Sequence, residues 1–450
     1  MRTPRWEQMR EDLRVLHQAA LVAADPAAAV RRALFGPAAA GTGQRIREGE
    51  KVLLIAAGKA AAGMAAGAFD LLGNQIVAGL VVHPHGDPRA ERTVWPTAIR
   101  TLGAGHPLPD TASLVAGETV TEMLAARAEG TSVLVLLSGG ASALLEQLPP
   151  EITLDELRAV TLALQRAGAD IAALNTVRRA LSRLKGGGLA RLAAPARLLT
   201  LALADVAGEA PEAIGSGPTV PSPTGPAEAL AVLARRGLLA AVPGVTAFLE
   251  RAAAARAAES PAAAEETPRG EYRIVGSNRR AVAAVAVAAG ECGFDSRIVA
   301  TALAGEAREV GAALAAEAIR ARERLATRGA RPLCLVQGGE TTVTVHGNGR
   351  GGRNQEVALG AARVLAGQPK IALLAVATDG IDGNSRAAGA LATGDTLARA
   401  AALGLSADAA LANNDAEPFF DALGDLWLTG RTGTNVNDLA IALVYPGGEA

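Results

Sequence analysis

Val52-Leu53-Leu54-Ile55-Ala56-Ala57-Gly58-Lys59-Ala60 is the stretch from which the fold class follows. Six apolar residues in a row read as a strand covered on both faces, because a half-exposed strand would alternate. The run ends in Gly-Lys, and an Ala/Leu-rich segment of helical period follows to about Leu72. The same unit recurs outward from it. Strands are expected at Ile76–Val82, Ser132–Leu137 and Arg197–Ala204. Helices are expected at Asp110–Arg127, at Thr153–Asp170 with Asp155 and Glu156 in the first turn, and within Asn175–Leu184. Strand–helix alternation of this kind predicts an α/β layered domain.

The texture changes near residue 250. Arg251–Gly270 is poor in large apolar residues and rich in Ala, Glu and Pro, and reads as a helix tail followed by a linker. Beyond it the alternation restarts, with strands expected at Tyr272–Val275, Ser296–Val299, Pro332–Val336, Thr341–Val345, Ile371–Ala377 and Leu426–Leu428. Helices are expected from Arg279, over Ala304–Ala326 and over Asn354–Leu365. Two α/β domains are therefore expected, 1–258 and 271–450, with an interdomain cleft of the kind ligands favour.

Composition narrows the function. Of 450 residues, half are hydrophobic, and the formal net charge is −1. No global field draws nucleic acid or an anionic membrane to such a chain. Aromatics at 2% offer little surface for base stacking. The two cysteines, Cys292 and Cys334, cannot frame a disulfide-rich fold, and no CxxC or His/Cys cluster suggests zinc. The N-terminal segment carries charges throughout, and no apolar run is long enough to span a bilayer. A cytoplasmic enzyme acting on small molecules is the expectation. Lysine is rare: only Lys51, Lys59, Lys185 and Lys370 occur, and Lys59 and Lys185 fall in glycine-rich segments.

Six segments could carry chemistry. Gly58-Lys59 lies between a strand and a helix, where free N–H groups and a point charge suit phosphate or carboxylate. Ser138-Gly139-Gly140-Ala141-Ser142 offers open amides and two hydroxyls after a buried strand. Asn175-Thr176-Val177-Arg178-Arg179 precedes Lys185-Gly186-Gly187-Gly188. There Arg183 and Lys185 read as helix C-terminal cations, and Arg178 as a ligand contact. After Gly338-Gly339-Glu340, the segment His346–Glu356 puts four glycines and two arginines before a helix, a phosphate-site pattern. Gly347, Gly349 and Gly352 also satisfy G-x-G-x-x-G, so a dinucleotide site competes. Arg350 and Arg353 crowd that fingerprint, and Asp379 lies further on than the usual ~20 residues. Asp379 and Asp382, in Thr378-Asp379-Gly380-Ile381-Asp382-Gly383, suit Mg²⁺ or general-base work. Thr429–Asp438 reads as a polar ligand loop. His106, in Gly103-Ala104-Gly105-His106-Pro107, reads as a structural histidine.

In order along the chain, GKA (58–60), GAGHPLPD (103–110), LLSGGASALL (136–145), LNTVRRALSRLKGGGLA (174–190), the Asp205 loop with GSGPT (215–219), GGETTVTVHGNGRGGRNQE (338–356), TDGIDG (378–383) and TGTNVNDLAIAL (432–443) resemble the glycerate 2-kinase family, whose C-terminal part is called MOFRL. The resemblance runs from about residue 50 to 442. It implies a Rossmann-like N-terminal domain and a MOFRL-type C-terminal domain. It implies ATP-dependent phosphorylation of D-glycerate at its 2-hydroxyl, with Mg²⁺. By motif position, Lys59, Arg353 and Asp379 would be the catalytic set. Gly58, Ser138, Gly139, Gly140, Ser142, Arg178, Asp205, Asn278, Glu340 and Asn354 would bind substrate or nucleotide, and Asp382 and Glu340 would hold the metal. An NAD(P)H-dependent hydroxypyruvate reductase is the alternative, and a homodimer is the expected assembly. The loop Ala204-Asp205-Val206-Ala207-Gly208-Glu209 departs from the Ser-Asp-Val-Pro-Gly-Asp expected of the family, which alters a hydroxyl and a carboxylate there.

Overall fold

The structure, a computed structural model, describes residues 4–35, 46–205, 207–258, 270–325 and 330–446. Contacts divide the chain into Pro26–Val275 and a second unit joining Met1–Asp25 to Gly276–Ala450. This differs from the 1–258 and 271–450 partition, and the helix Pro4–Ala23 is the reason. Trp6, Met9, Leu13, Leu16 and Ala20 recur every three or four residues. They pack in one core with Val282, Val285, Leu374 and Val376. Of the expected linker, residues 259–269 lie outside the described residues, and Pro243–Ala258 is a helix.

In the Pro26–Val275 unit the strands are β1 (Val52–Ala57), β2 (Ile76–Pro84), β3 (Ile99–Ala104), β4 (Ser132–Leu137) and β5 (Leu198–Ala204). β6 (Glu271–Ser277) extends the sheet at one edge. The order is β3-β2-β1-β4-β5-β6, and β1 to β5 pair in parallel. Every residue of β1, β4 and β5 is buried, as the unbroken apolar runs required. Along β1, Val52, Leu54 and Ala56 enter one apolar layer with Met64 and Ala68 of the helix Ala61–Leu72. Leu53, Ile55 and Ala57 enter the other layer with Ala116, Val120 and Leu124 of the helix Thr111–Ala126. Each fully buried Leu or Ile contributes about 1.5–3 kcal/mol. β3 has no apolar run because it sits at the sheet edge, where Arg100 and Thr101 stay exposed. A parallel sheet turns all its carboxyl ends one way, so the loops after β1, β3, β4 and β5 share one rim.

In the second unit the strands are β7 (Asp295–Leu303), β8 (Leu333–Gly339), β9 (Ile371–Ala377), β10 (Gly389–Thr393), β11 (Leu426–Trp427) and β12 (Asp438–Val444), ordered β11-β10-β9-β12-β8-β7. Only β7 and β8 run parallel; the other pairs are antiparallel. The expected strand at Thr341–Val345 does not form. The Thr344 N–H and Oγ1 donate to the Glu306 carboxylate and the Thr342 N–H to Gly305, which leaves one isolated bridge, Glu306 to Thr342. The place between β8 and β9 belongs instead to β12. Asp438 stands opposite both Gly339 and Ala377. Glu340 and Asp379, which follow β8 and β9 at that end, therefore lie at the same edge as Asp438.

Candidate active site

Close backbone approach assembles the rim of the Pro26–Val275 unit. Gly58 has φ +131°, and a Cβ there would come within 2.6 Å of the Ser138 carbonyl oxygen. The Lys59 N–H donates to the Gly139 carbonyl at 2.8 Å, and the Ala60 N–H to Ser138 Oγ at 3.0 Å. Ser138 is buried, so its hydroxyl fastens two loops together instead of standing open to a ligand. Ser142 Oγ is likewise engaged, 2.8 Å from Ser216 Oγ, which donates to Asn175 Oδ1 at 2.9 Å. Asp205 packs against Gly139, where any side chain would collide with its carboxylate. Gly58, Lys59, Ser138, Gly139, Gly140, Ser142 and Asp205 thus lie together at this rim, with both serine hydroxyls engaged within the protein. Val206 lies outside the described residues.

Behind this rim is a charged group the sequence did not disclose. Lys185 is 2% exposed and forms an ion pair with Glu146, itself 1% exposed. Burial pulls the Lys185 ammonium down, and Glu146 opposes that pull. Glu146 also accepts from Ser182 Oγ at 2.5 Å. Lys185 is therefore a core cation and not the exposed helix-end charge its spacing suggested; the helix Ile171–Ala180 ends before it. Arg178, on that helix, shares the field of Glu146, and burial lowers its guanidinium from the usual range. Among the described residues no acceptor lies within hydrogen-bond distance of the Arg178 guanidinium. The point a Cβ on Gly140 would occupy is 2.9 Å from His106 Cδ2, 3.2 Å from His106 Nε2 and 3.5 Å from Lys59 Cγ. His106 keeps solvent access. Desolvation, with the charges of Lys59 and Arg178, holds its imidazole down at about 4, so the ring is neutral.

The second unit builds its constellation at the shared end of β8, β9 and β12. Arg353 Nε lies 2.5 Å from Asp438 Oδ2, Nη2 lies 3.2 Å from Asp438 Oδ1, and Nη1 lies 2.6 Å from Glu340 Oε1. Both carboxylates raise the Arg353 guanidinium against the burial that lowers it. Asp379 Oδ1 accepts from the Ile381 N–H at 3.0 Å, and its side chain is half-buried. Asp438 lay inside the polar loop singled out earlier, yet nothing in the sequence marked it as the partner of Arg353, 85 residues away.

Other residues expected to bind ligand have internal tasks. Asp382 is 1% exposed, and Oδ1 accepts from the Asn354 N–H at 3.0 Å and Nδ2 at 3.2 Å, while Oδ2 accepts from the Gln355 N–H at 2.8 Å. It caps the helix Arg353–Leu365. That corrects the metal-ligand expectation, because both oxygens face the helix end. Burial, more than the Asp438 charge, pushes its carboxyl up to about 7. Asn354 is buried with it. Asn278 Nδ2 donates to the Val436 carbonyl at 2.8 Å and the Asp438 carbonyl at 2.9 Å, fixing the start of β12. The N–H groups of the glycine-rich loop before the helix are also engaged within the protein. His346 and Gly347 N–H groups donate to Asn414 Oδ1, Asn348 to Asn413 Oδ1, Arg350 to Asp415 Oδ1 and Gly351 to Asn384 Oδ1. The strand expected at Thr341–Val345 does not form, so no strand leads directly into this loop as the dinucleotide fingerprint requires.

Among the described residues no group of three or more His, Cys, Asp or Glu side chains is arranged to hold a metal ion, and no helix is long and apolar enough to cross a membrane.

Two domain signatures match the chain: a domain of unknown function (DUF4147) over residues 12–250, and the MOFRL family over residues 333–438. A D-glycerate 2-kinase of Thermotoga maritima is 38% identical over 402 residues, covering 88% of this chain and 91% of that protein. The chain belongs to the glycerate 2-kinase family. A glycerate kinase crystal structure from Thermotoga maritima matches with a TM-score of 0.86 at 34% identity, covering 98% of this chain and 100% of that one. An Agrobacterium vitis protein named provisionally as a hydroxypyruvate reductase is 39% identical over 437 residues, 97% of this chain and 94% of its own. Within the family frame, Lys59, Arg178 and His106 in one unit and Arg353, Asp438, Glu340 and Asp379 in the other are the side chains with chemistry to offer.

Proposed function

We propose that this protein transfers the γ-phosphoryl group of ATP to the 2-hydroxyl of D-glycerate, giving 2-phosphoglycerate and ADP. The observation that carries the reading is likeness along nearly the whole chain to a protein named D-glycerate 2-kinase. The charge inventory supports it. Lys59 has no ion-pair partner among the described residues, and Arg178 has no bonded acceptor, so the Pro26–Val275 unit offers two cations to an anionic substrate. Asp379 takes the proton of the 2-hydroxyl as the oxygen attacks the γ-phosphorus and the bond to the β-phosphate oxygen breaks, releasing ADP. Arg353, oriented by Asp438, offsets charge on the transferred group. Such a reaction needs mainly positioning and charge stabilisation.

Mg²⁺ would neutralise phosphate charge in this chemistry. Among the described residues Glu340 gives only Oε1 to Arg353, which leaves Oε2 for a cation. Such a hard oxygen donor fits a cation that takes one or two carboxylates and fills its shell with water and phosphate.

One coupled assay tests the reading. Glycerate with ATP and Mg²⁺ should yield ADP, and hydroxypyruvate with NADH should show no oxidation. NADH consumption without ATP-dependent loss of glycerate would replace the kinase by the reductase.

A further inference from the structure

We propose that His106 is the hydroxyl-recognising residue of the glycerate subsite: its imidazole accepts a hydrogen bond from the substrate's 3-hydroxyl, whose proton the transfer does not use, while Lys59 and Arg178 take the carboxylate. The assignment rests on the kinase reading and adds to it a residue and a basis for choosing the substrate. Four observations converge on it. The ring lies over Gly140, whose φ of +87° and missing side chain leave room for it. Nε2 and Lys59 Cγ both lie within 3.5 Å of the point a Cβ on Gly140 would occupy. Arg178 is close enough for its charge to act on the ring, and its guanidinium has no bonded acceptor among the described residues. Neither ring nitrogen of His106 has a hydrogen-bond partner there, although its neighbours His83, His85 and Asp110 are all engaged.

The local charge explains why the imidazole acts as an acceptor. Lys59, Arg178 and Lys185 are cations; Glu146 pairs with Lys185, and the carboxylates of Asp205 and Asp110 lie against Gly139 and Gly105. An imidazolium beside Lys59 and Arg178 would add repulsion to the cost of desolvation. The neutral ring keeps one lone pair, and the two cations select a carboxylate. The substrate's 3-hydroxyl then completes the site. A site built to bond a hydroxyl discriminates strongly against the analogue that lacks one, because its own polar group is left unpaired.

The test uses the full-length protein with D-glycerate and ATP·Mg²⁺. 3-Hydroxypropionate and propionate, which differ by the 3-hydroxyl, serve as competitive inhibitors against glycerate. Wild type should favour 3-hydroxypropionate over propionate by about tenfold or more. His106→Ala should bring that ratio to near one and raise KM for glycerate, with KM for ATP unchanged. His106→Gln, which retains an acceptor, should recover part of the ratio, and Arg178→Ala should weaken both inhibitors alike. A wild-type ratio that survives in His106→Ala overturns the assignment while leaving the kinase intact. Where the alanine variant does not fold, a ratio near one in folded His106→Phe supports the assignment and an unchanged ratio overturns it. No turnover of glycerate by the wild type overturns the kinase reading itself, and this assignment with it.

Discussion

Arg353 and Asp438 form a two-point ion pair, Nε to Oδ2 at 2.5 Å and Nη2 to Oδ1 at 3.2 Å. Asp438 opens β12 and is held in register with both Gly339 and Ala377. The sheet itself therefore fixes the plane of the guanidinium. A third donor, Nη1, goes to Glu340, which leaves part of the five-donor fork for an outside anion. The pair is a means of aiming a charge, because a lysine cannot reproduce a two-point contact.

Aim and charge separate by mutation. Arg353→Ala removes the cation, and turnover should fall on the order of 10²–10³-fold. Asp438→Asn keeps the size of the side chain and loses the ionic two-point contact. Its kcat should fall by about tenfold or more, with KM for glycerate little changed. Steady-state kinetics beside circular dichroism decide the matter. A well-folded Asp438→Asn enzyme with wild-type kcat removes Asp438 from the orientation of Arg353.

The Glu146–Lys185 pair carries a stability prediction. Both side chains are buried, so removing either leaves the other as an uncompensated charge. Lys185→Met or Glu146→Gln alone should cost about 3–5 kcal/mol. The double variant should recover most of that loss, because the buried pair contributes little net stability against apolar replacement. Denaturant unfolding of the three variants measures the coupling. Single variants within about 1 kcal/mol of wild type would show that the charges find other partners.

These two pairs also mark how far the sequence can be read. The strands β1, β4 and β9 were legible because burial on both faces demands unbroken apolar runs. Capping was legible too: Thr153 and Glu156 exchange reciprocal hydrogen bonds at the start of the helix Leu154–Arg166. What failed was the reading of glycines and charges whose meaning depends on distant partners. Gly347, Gly349 and Gly352 look like a phosphate loop, yet each is small because Asn413, Asp415 or Asp382 packs against it. Lys185 looks like a helix-end charge until Glu146, 39 residues away, is brought beside it. His106 looks like a lone structural histidine, and only the fold brings it beside Lys59 and Arg178.

The packing of the first helix should respond to acid. His17 is 3% exposed, its Nδ1 accepts from Trp427 Nε1 at 3.2 Å, and Nε2 has no partner among the described residues. Burial holds the imidazole down at about 4 from an ordinary 6.5. The native state therefore resists protonation that the unfolded state accepts. Full stability is present above pH 6.5, and about 3 kcal/mol is lost as pH falls from there to about 4. Hydrogen-exchange protection factors within Pro4–Ala23, taken relative to the intrinsic rate at each pH, should fall over that window. His17→Gln, which cannot titrate, should flatten the response. An equal fall in both proteins would place the sensitivity elsewhere.

Asp382 separates a capping role from a metal-binding one. Its two oxygens accept from the backbone of Asn354 and Gln355 at the first turn of the Arg353 helix. Loss of both acceptors in Asp382→Ala leaves buried N–H groups unpaired, a cost of about 1–3 kcal/mol for each such group. Since Arg353 is the first residue of that helix, turnover should fall together with stability. Asp382→Asn keeps one oxygen and adds donors where an acceptor is needed, so it should fall between wild type and alanine in both respects. The Mg²⁺ concentration for half-maximal activity should stay the same across the three proteins, because the carboxylate faces the helix. A large rise in the Mg²⁺ requirement of Asp382→Asn, with its melting temperature unchanged, would return Asp382 to the metal.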